Sequence, residues 1–125
     1  MYTIITNNPL AESEYSRKTE FLDSGAGDIL LRARDYIHSG AKLLGHPLSG
    51  GVMPGVNPYK SLVIARPATG LPATVDLDSL ELIENAIRLL KKAPEGFEGY
   101  DEKTLEDFMI LDLDMLVSCV KRLML

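Results

Sequence analysis

"KTEFLDSGAGDILLRARDYIHSGAKLLGH", residues 18–46, changes its hydrophobic period twice, and that change decides the fold class. Residues 18–23 read as a short strand, interrupted by Glu20 and therefore placed near a sheet edge. Ile29, Leu30, Ala33, Tyr36 and Ile37 then recur at helical spacing, with Arg32, Arg34 and Asp35 on the other side. Gly40 stands where a helix ends in the left-handed conformation that glycine adopts without penalty. "KLLGH", residues 42–46, returns to a strand pattern. Strand, helix and strand in succession imply parallel strands joined by a crossover, hence a layered α/β domain.

Outward from this unit, "YTIIT" at residues 2–6 is short, β-branched and apolar, and stops at Asn7-Asn8-Pro9. Asn8 before Pro9 suits an N-cap with proline at the first helical position, predicting a short helix over 9–17. "YKSLVIAR", residues 59–66, is the clearest strand. The intervening residues 47–58 hold too much glycine and proline for a crossover helix, so this fourth strand is expected antiparallel to the third, in a mixed sheet.

The C-terminal half reads as helical. "VDLDSLELIENAIRLL" from Val75 and "LDLDMLVSCVKRLML" from Leu111 share a D-L-D-x-L opening. In each the second aspartate, Asp78 or Asp114, is an expected N-cap. Asp78 with Glu81 offers a capping box and Leu77 with Leu82 a staple. Pro94, Gly96 and Gly99 end the first helix, and another start is expected at Thr104. Residues 105–125 are apolar on most sides, which predicts an assembly surface such as a homodimer contact through the C-terminal helix. The expected architecture is one α/β domain over 1–125, with a small, mostly parallel or mixed four-stranded sheet, flanking helices and a helical C-terminal tail.

The 125 residues, 46% apolar, suffice for one core. A net charge of −5 argues against a nucleic-acid partner, because binding a polyanion needs clustered lysine and arginine. The Lys91-Lys92 pair falls at a predicted helix end, where cations complement the dipole. "MYTIITNNP" has neither a basic leader nor a long apolar stretch, and no run reaches membrane-spanning length, which predicts a cytoplasmic protein without membrane contact. The single cysteine, Cys119, excludes an internal disulfide and reads as inert core.

In open α/β sheets ligands gather beyond the carboxyl ends of parallel strands. Three connections qualify if the first three strands are parallel: Thr6-Asn7-Asn8, Ser24-Gly25-Ala26-Gly27, and His46 with Ser49-Gly50-Gly51. Each also has a purely structural reading as turn, cap or hinge, and His46 as a histidine bonded to a carbonyl. His38 suits the dipole at a helix C-terminus. Convergence singles out the third connection: His46, the glycine-rich loop and Tyr59-Lys60 fall in one irregular stretch of a length that usually carries function. Lys60 could neutralise an anion and His46 could donate to it or carry a proton. No hydrolytic triad, metal site or cofactor motif is present in the pattern. The expected ligand-binding set is Thr6, Asn7, Asn8, His46, Ser49, Gly50 and Lys60.

"ITNNPL" near the start, "RDYIHSGAKLLGHPLSG" in the middle and "NPYKSLVIA" after it resemble, in order and spacing, the GrdX family. These are small proteins associated with the glycine, sarcosine and betaine reductase systems of amino-acid-fermenting anaerobes. The likeness is strong over the first half and loose over the helical remainder. It implies an accessory or regulatory role beside a reductase and carries over no catalytic residue. The family pattern has a serine and a lysine where this chain has Gly51 and Met53, so one loop cation is missing here. Three readings follow. The first is a non-enzymatic accessory protein that binds a small anionic metabolite or a protein partner. The second is a small enzyme for a carboxylated or phosphorylated compound with His46 as acid/base. The third is a purely structural connector with an assembly helix.

Overall fold

The N-terminal strand β1, Tyr2–Thr6, is the axis of the sheet, and its pleat sends Ile4 to one face and Ile5 to the other, both fully buried. The computed structural model describes residues 2–47, 55–67, 74–93 and 99–124. After β1 come α1 (Pro9–Glu14), a 3-10 turn (Ser16–Lys18), β2 (Thr19–Phe21), α2 (Ala26–His38), β3 (Lys42–Leu43), β4 (Ser61–Ala65), α3 (Leu77–Lys92) and α4 (Glu102–Met124). The expected helix over 9–17 therefore divides into α1 and the 3-10 turn, and the strand ending "KLLGH" shrinks to two residues.

The four strands lie in the order β2-β1-β4-β3. β1 and β2 pair in parallel, whereas β4 is antiparallel to β1 and to β3. The sheet is mixed, and only one neighbouring pair is parallel. Yet β3, antiparallel to a strand that is itself antiparallel to β1, runs in the same direction as β1 and β2. The carboxyl ends of β1, β2 and β3 and the start of β4 consequently share one end of the sheet.

Register distributes the side chains. Ile5 pairs with Leu62 on the face covered by α2 and α3, and Ile4 pairs with Val63 on the face covered by α1 and α4. The first face buries Ile29, Leu30, Ala33 and Ile37 of α2 with Ile83, Ala86 and Ile87 of α3. The second buries Ala11, Leu116 and Val120. Thr6, two residues after Ile4, shares the second face and lies directly opposite Ser61.

Helix ends explain the boundaries. Gly40, at φ +100°, closes α2 in a Schellman pair, its N–H bonding Ile37 O and the Ala41 N–H bonding Tyr36 O. For α3 the cap is Asp76 and not Asp78: Asp76 accepts from the Ser79 N–H and hydroxyl, at 3.1 and 2.6 Å. Ser79 is buried and its Oγ accepts the Leu43 N–H of β3, so a tertiary bond selects between two aspartates separated by one residue. Leu77 becomes the first helical residue, 73% exposed, and makes no staple. The start expected at Thr104 lies slightly earlier, since Asp101 accepts the Thr104 N–H at 2.8 Å. Asp114 is likewise no cap: with no glycine or proline to interrupt it, α4 runs through "LDLD" as one helix. Pro94 and Gly96 lie outside the described residues. On α4, Ile110 is exposed roughly 20 Å along the axis from exposed Leu123 and Met124.

Candidate functional site

At the shared carboxyl end, polar side chains meet in a connected network. Thr6 Oγ1 and Ser61 Oγ are 2.7 Å apart across the β1–β4 register. Ser61 spends its one hydroxyl proton on the Asp112 carboxylate at 2.6 Å, so Thr6 is the donor to Ser61. Thr6 Oγ1 in turn accepts the Asn8 N–H at 2.9 Å. The Asn8 amide gives one proton to Asp112 Oδ2 at 3.0 Å and one to Met109 O at 2.9 Å, while its oxygen caps α1 by accepting the Leu10 N–H. Asn8 is thus fully buried and joins β1, α1 and α4 with one side chain.

Asn7 turns the other way. Its Nδ2 donates to Ser24 O at 2.8 Å and Pro58 O at 3.0 Å, and its Oδ1 accepts the Lys60 N–H at 2.8 Å. It therefore clamps the β2–α2 connection to the entrance of β4. Asn57 continues the clamp, accepting the Tyr59 N–H and donating to Phe108 O of α4. Asn7 and Asn57 thus bond only backbone groups, whereas Asn8 also bonds the Asp112 carboxylate.

Beside the network, β3, β4 and α4 enclose a crevice of about 30 Å³, room for one or two waters or one small polar group. His46, Pro47, Lys60, Asp112, Cys119 and Arg122 contribute to its walls. The half-buried Lys60 donates from Nζ to Pro47 O at 2.8 Å. Burial draws its ammonium below the usual lysine range, and the nearby Asp112 carboxylate opposes that pull. His46 is exposed at the rim. Cys119, half-buried, directs its thiol at Leu44 O at 3.5 Å. Gly45 is held at φ +110° against it: a Cβ there would approach Cys119 Sγ to 3.1 Å, so both the backbone angle and the space call for glycine.

Of the expected binding set, Thr6, Asn7, Asn8, His46 and Lys60 do assemble at one end of the sheet. Ser49 and Gly50, with Gly51 and Met53, lie outside the described residues. Asp112, Ser61 and Arg122 were not anticipated. Asp112 had a signal: it stands four and eight residues before Leu116 and Val120, so an acidic residue lies on the buried stripe of a helix.

A family model described as GrdX-like protein matches residues 3–121. The chain belongs to the GrdX-like family. Membership covers α4 as well as the N-terminal motifs, so the helix carrying Asp112 is part of what the family model spans. No curated protein and no solved structure matches the chain. Among the described residues there is no group of three or more histidine, cysteine or acidic side chains placed to hold a metal ion. Nor is any described helix long and apolar enough to cross a membrane.

Proposed function

We propose that this GrdX-like protein is a non-catalytic accessory or regulatory protein of the glycine, sarcosine and betaine reductase systems, acting through capture of a small anionic metabolite at the β3–β4–α4 crevice. The observation that carries the reading is the crevice itself, where Lys60, His46 and Arg122 line one small opening together with the Asp112 carboxylate, at the carboxyl end of β1 and β3. The hydroxyls and amides beside it are engaged with one another and hold the walls in place. With room for only one small polar group, the crevice would take the carboxylate or phosphate end of the metabolite, Lys60 and Arg122 attracting it and the Asp112 carboxylate, already bonded to Ser61 and Asn8, opposing it. The association with reductase systems rests on the family resemblance.

The test is thermal unfolding of the wild type and His46→Ala against phosphate, acetyl phosphate, glycine, sarcosine and betaine. A ligand at a hundredfold excess over its Kd stabilises the folded state by about 2.7 kcal/mol. His46 is exposed, so its removal leaves the core unaltered. A shift in the wild type that disappears in His46→Ala supports the reading. Absence of any shift rejects the metabolite and directs attention to a reductase component as partner, read by pull-down. Turnover of any of these compounds that is lost with His46 would replace the reading with the enzymatic one.

A further inference from the structure

The opposite end of the sheet carries a second, separate concentration of charge. An open groove of about 560 Å³ crosses the beginnings of β2 and β1 and the end of β4, lined by Tyr2, Thr3, Arg17, Lys18, Glu20 and Arg66. This volume lies in the range of small-molecule sites. Three cations face one carboxylate there, in a chain whose net charge is −5.

That carboxylate is already neutralised from behind. Glu20 accepts from Arg32 Nε at 2.7 Å and Nη2 at 3.2 Å, and from the Tyr36 hydroxyl at 2.5 Å. Arg32 is outside the groove lining and is the ion-pair partner of Glu20, while Arg66, inside the groove, adds only the weakest of the attractions on that carboxylate. Among the described residues Arg17, Lys18 and Arg66 are in no ion pair. Two of them are nevertheless held in place by uncharged contacts. Arg66 stacks on the Tyr36 ring, 5.0 Å from its centroid, and donates to the Tyr36 hydroxyl at 3.1 Å. Lys18 sits 4.7 Å above the Tyr2 ring and donates to the Tyr2 hydroxyl at 3.2 Å. Aromatic contacts orient a cation without cancelling it, and a fixed guanidinium matches an oxyanion with less ordering cost.

We propose that this groove binds a small polyanion, a phosphorylated or polycarboxylated molecule, with Arg66 on one wall and Arg17-Lys18 on the other. The strand order β2-β1-β4 makes the site: the Arg17-Lys18 pair leads into β2 and Arg66 follows β4, on either side of β1. It is independent of the crevice, since the two occupy opposite ends of the strands.

Titration of the full ¹⁵N-labelled chain with inorganic pyrophosphate, and separately with citrate, at constant ionic strength is the test. The expected result is saturable amide shifts centred on residues 2–3, 17–20 and 66. Arg66→Ala should weaken binding about tenfold, and Arg66→Lys should recover only part, because lysine keeps the charge and loses the planar fork. Arg17→Ala/Lys18→Ala should weaken it through surface changes that leave the core intact. Lys103→Ala, removing an exposed lysine of α4, should have no effect. The anion that saturates at lower concentration identifies the headgroup as phosphoryl or carboxylate. Linear, unsaturated shifts, or equal weakening by Arg66→Ala and Lys103→Ala, would overturn the proposal as diffuse charge attraction.

Discussion

The two faces of this sheet are held by different physics. Against α2 and α3 the sheet packs by apolar area: Ile5, Leu62 and Ile64 meet a continuous layer of buried isoleucine, leucine and alanine. Against α1 and α4 the buried apolar set is small, Ile4, Val63, Ala11, Leu116 and Val120, and a hydrogen-bonded chain from Thr6 through Ser61 to Asp112 and Asn8 supplements it. The non-directional hydrophobic effect suits a face that has only to be covered. Directional bonds suit a face that must seat a helix at one register, because Asp112 can reach Ser61 and Asn8 from only one position of α4. The crevice lies on the second face. Its geometry is set by the directional bonds and not by bulk packing.

Breaking the apolar face should have the largest effect. Ile64→Ala, at a fully buried position, is expected to cost about 3 kcal/mol in urea denaturation at neutral pH, from lost transfer energy and the cavity left behind. Breaking the polar face at its centre comes next. Asp112→Ala strands the Ser61 hydroxyl and one Asn8 proton, at a cost of about 2 kcal/mol. Asp112→Asn should recover part of that loss, as both donors meet the one oxygen Oδ2 and an amide oxygen can accept both, without the strength that the charge adds. A loss from Asp112→Ala within experimental error would show that α4 is held by its apolar stripe alone. The two faces would then be held by the same physics.

Ser79→Ala tests a polar bond placed at the edge of the apolar face. It removes the acceptor of the Leu43 N–H and a donor to the Asp76 cap, and should cost about 1 kcal/mol. Hydrogen exchange should report the loss first at Leu43. The smallest effect is expected at Glu20. The Arg32 guanidinium, and after it the Tyr36 hydroxyl, hold the Glu20 carboxyl below its ordinary 4.5, against the opposing effect of burial. The folded state therefore keeps the charge at lower pH than the unfolded chain. The stabilisation is complete above the ordinary value and is lost as pH falls through the folded one. With Arg32 41% exposed, screening limits it to below about 1 kcal/mol. Glu20→Gln should flatten the acid limb of the stability profile as pH falls below the ordinary 4.5 by that amount, a change measurable by urea midpoints.

Local chemistry alone made much of this molecule legible in its sequence. The apolar period of β1, β4 and α2, the Asn8-Pro9 start and the Gly40 stop are each decided within a few neighbouring residues, and each is where its pattern placed it. The absence of crossover-helix sequence in 47–58 foretold the antiparallel β4, and with it the mixed sheet. Tertiary structure decided what neighbours alone leave equivalent. Asp76 and Asp78 are comparable caps until Ser79 must reach Leu43, and Asp114 resembles a helix start until α4 continues through it to lie along Leu116 and Val120. The site divided in the same way. Thr6, Asn7, Asn8, His46 and Lys60 could be chosen because they flank strand ends, but Ser61, Asp112 and Arg122 could not be joined to them from order along the chain. Asp112 is 104 residues from the Asn8 it bonds, and only the strand order β2-β1-β4-β3 beneath α4 brings that carboxylate over the end of β1. Proximity along the chain selects turns and caps, whereas long-range packing selects which of the remaining polar groups become partners.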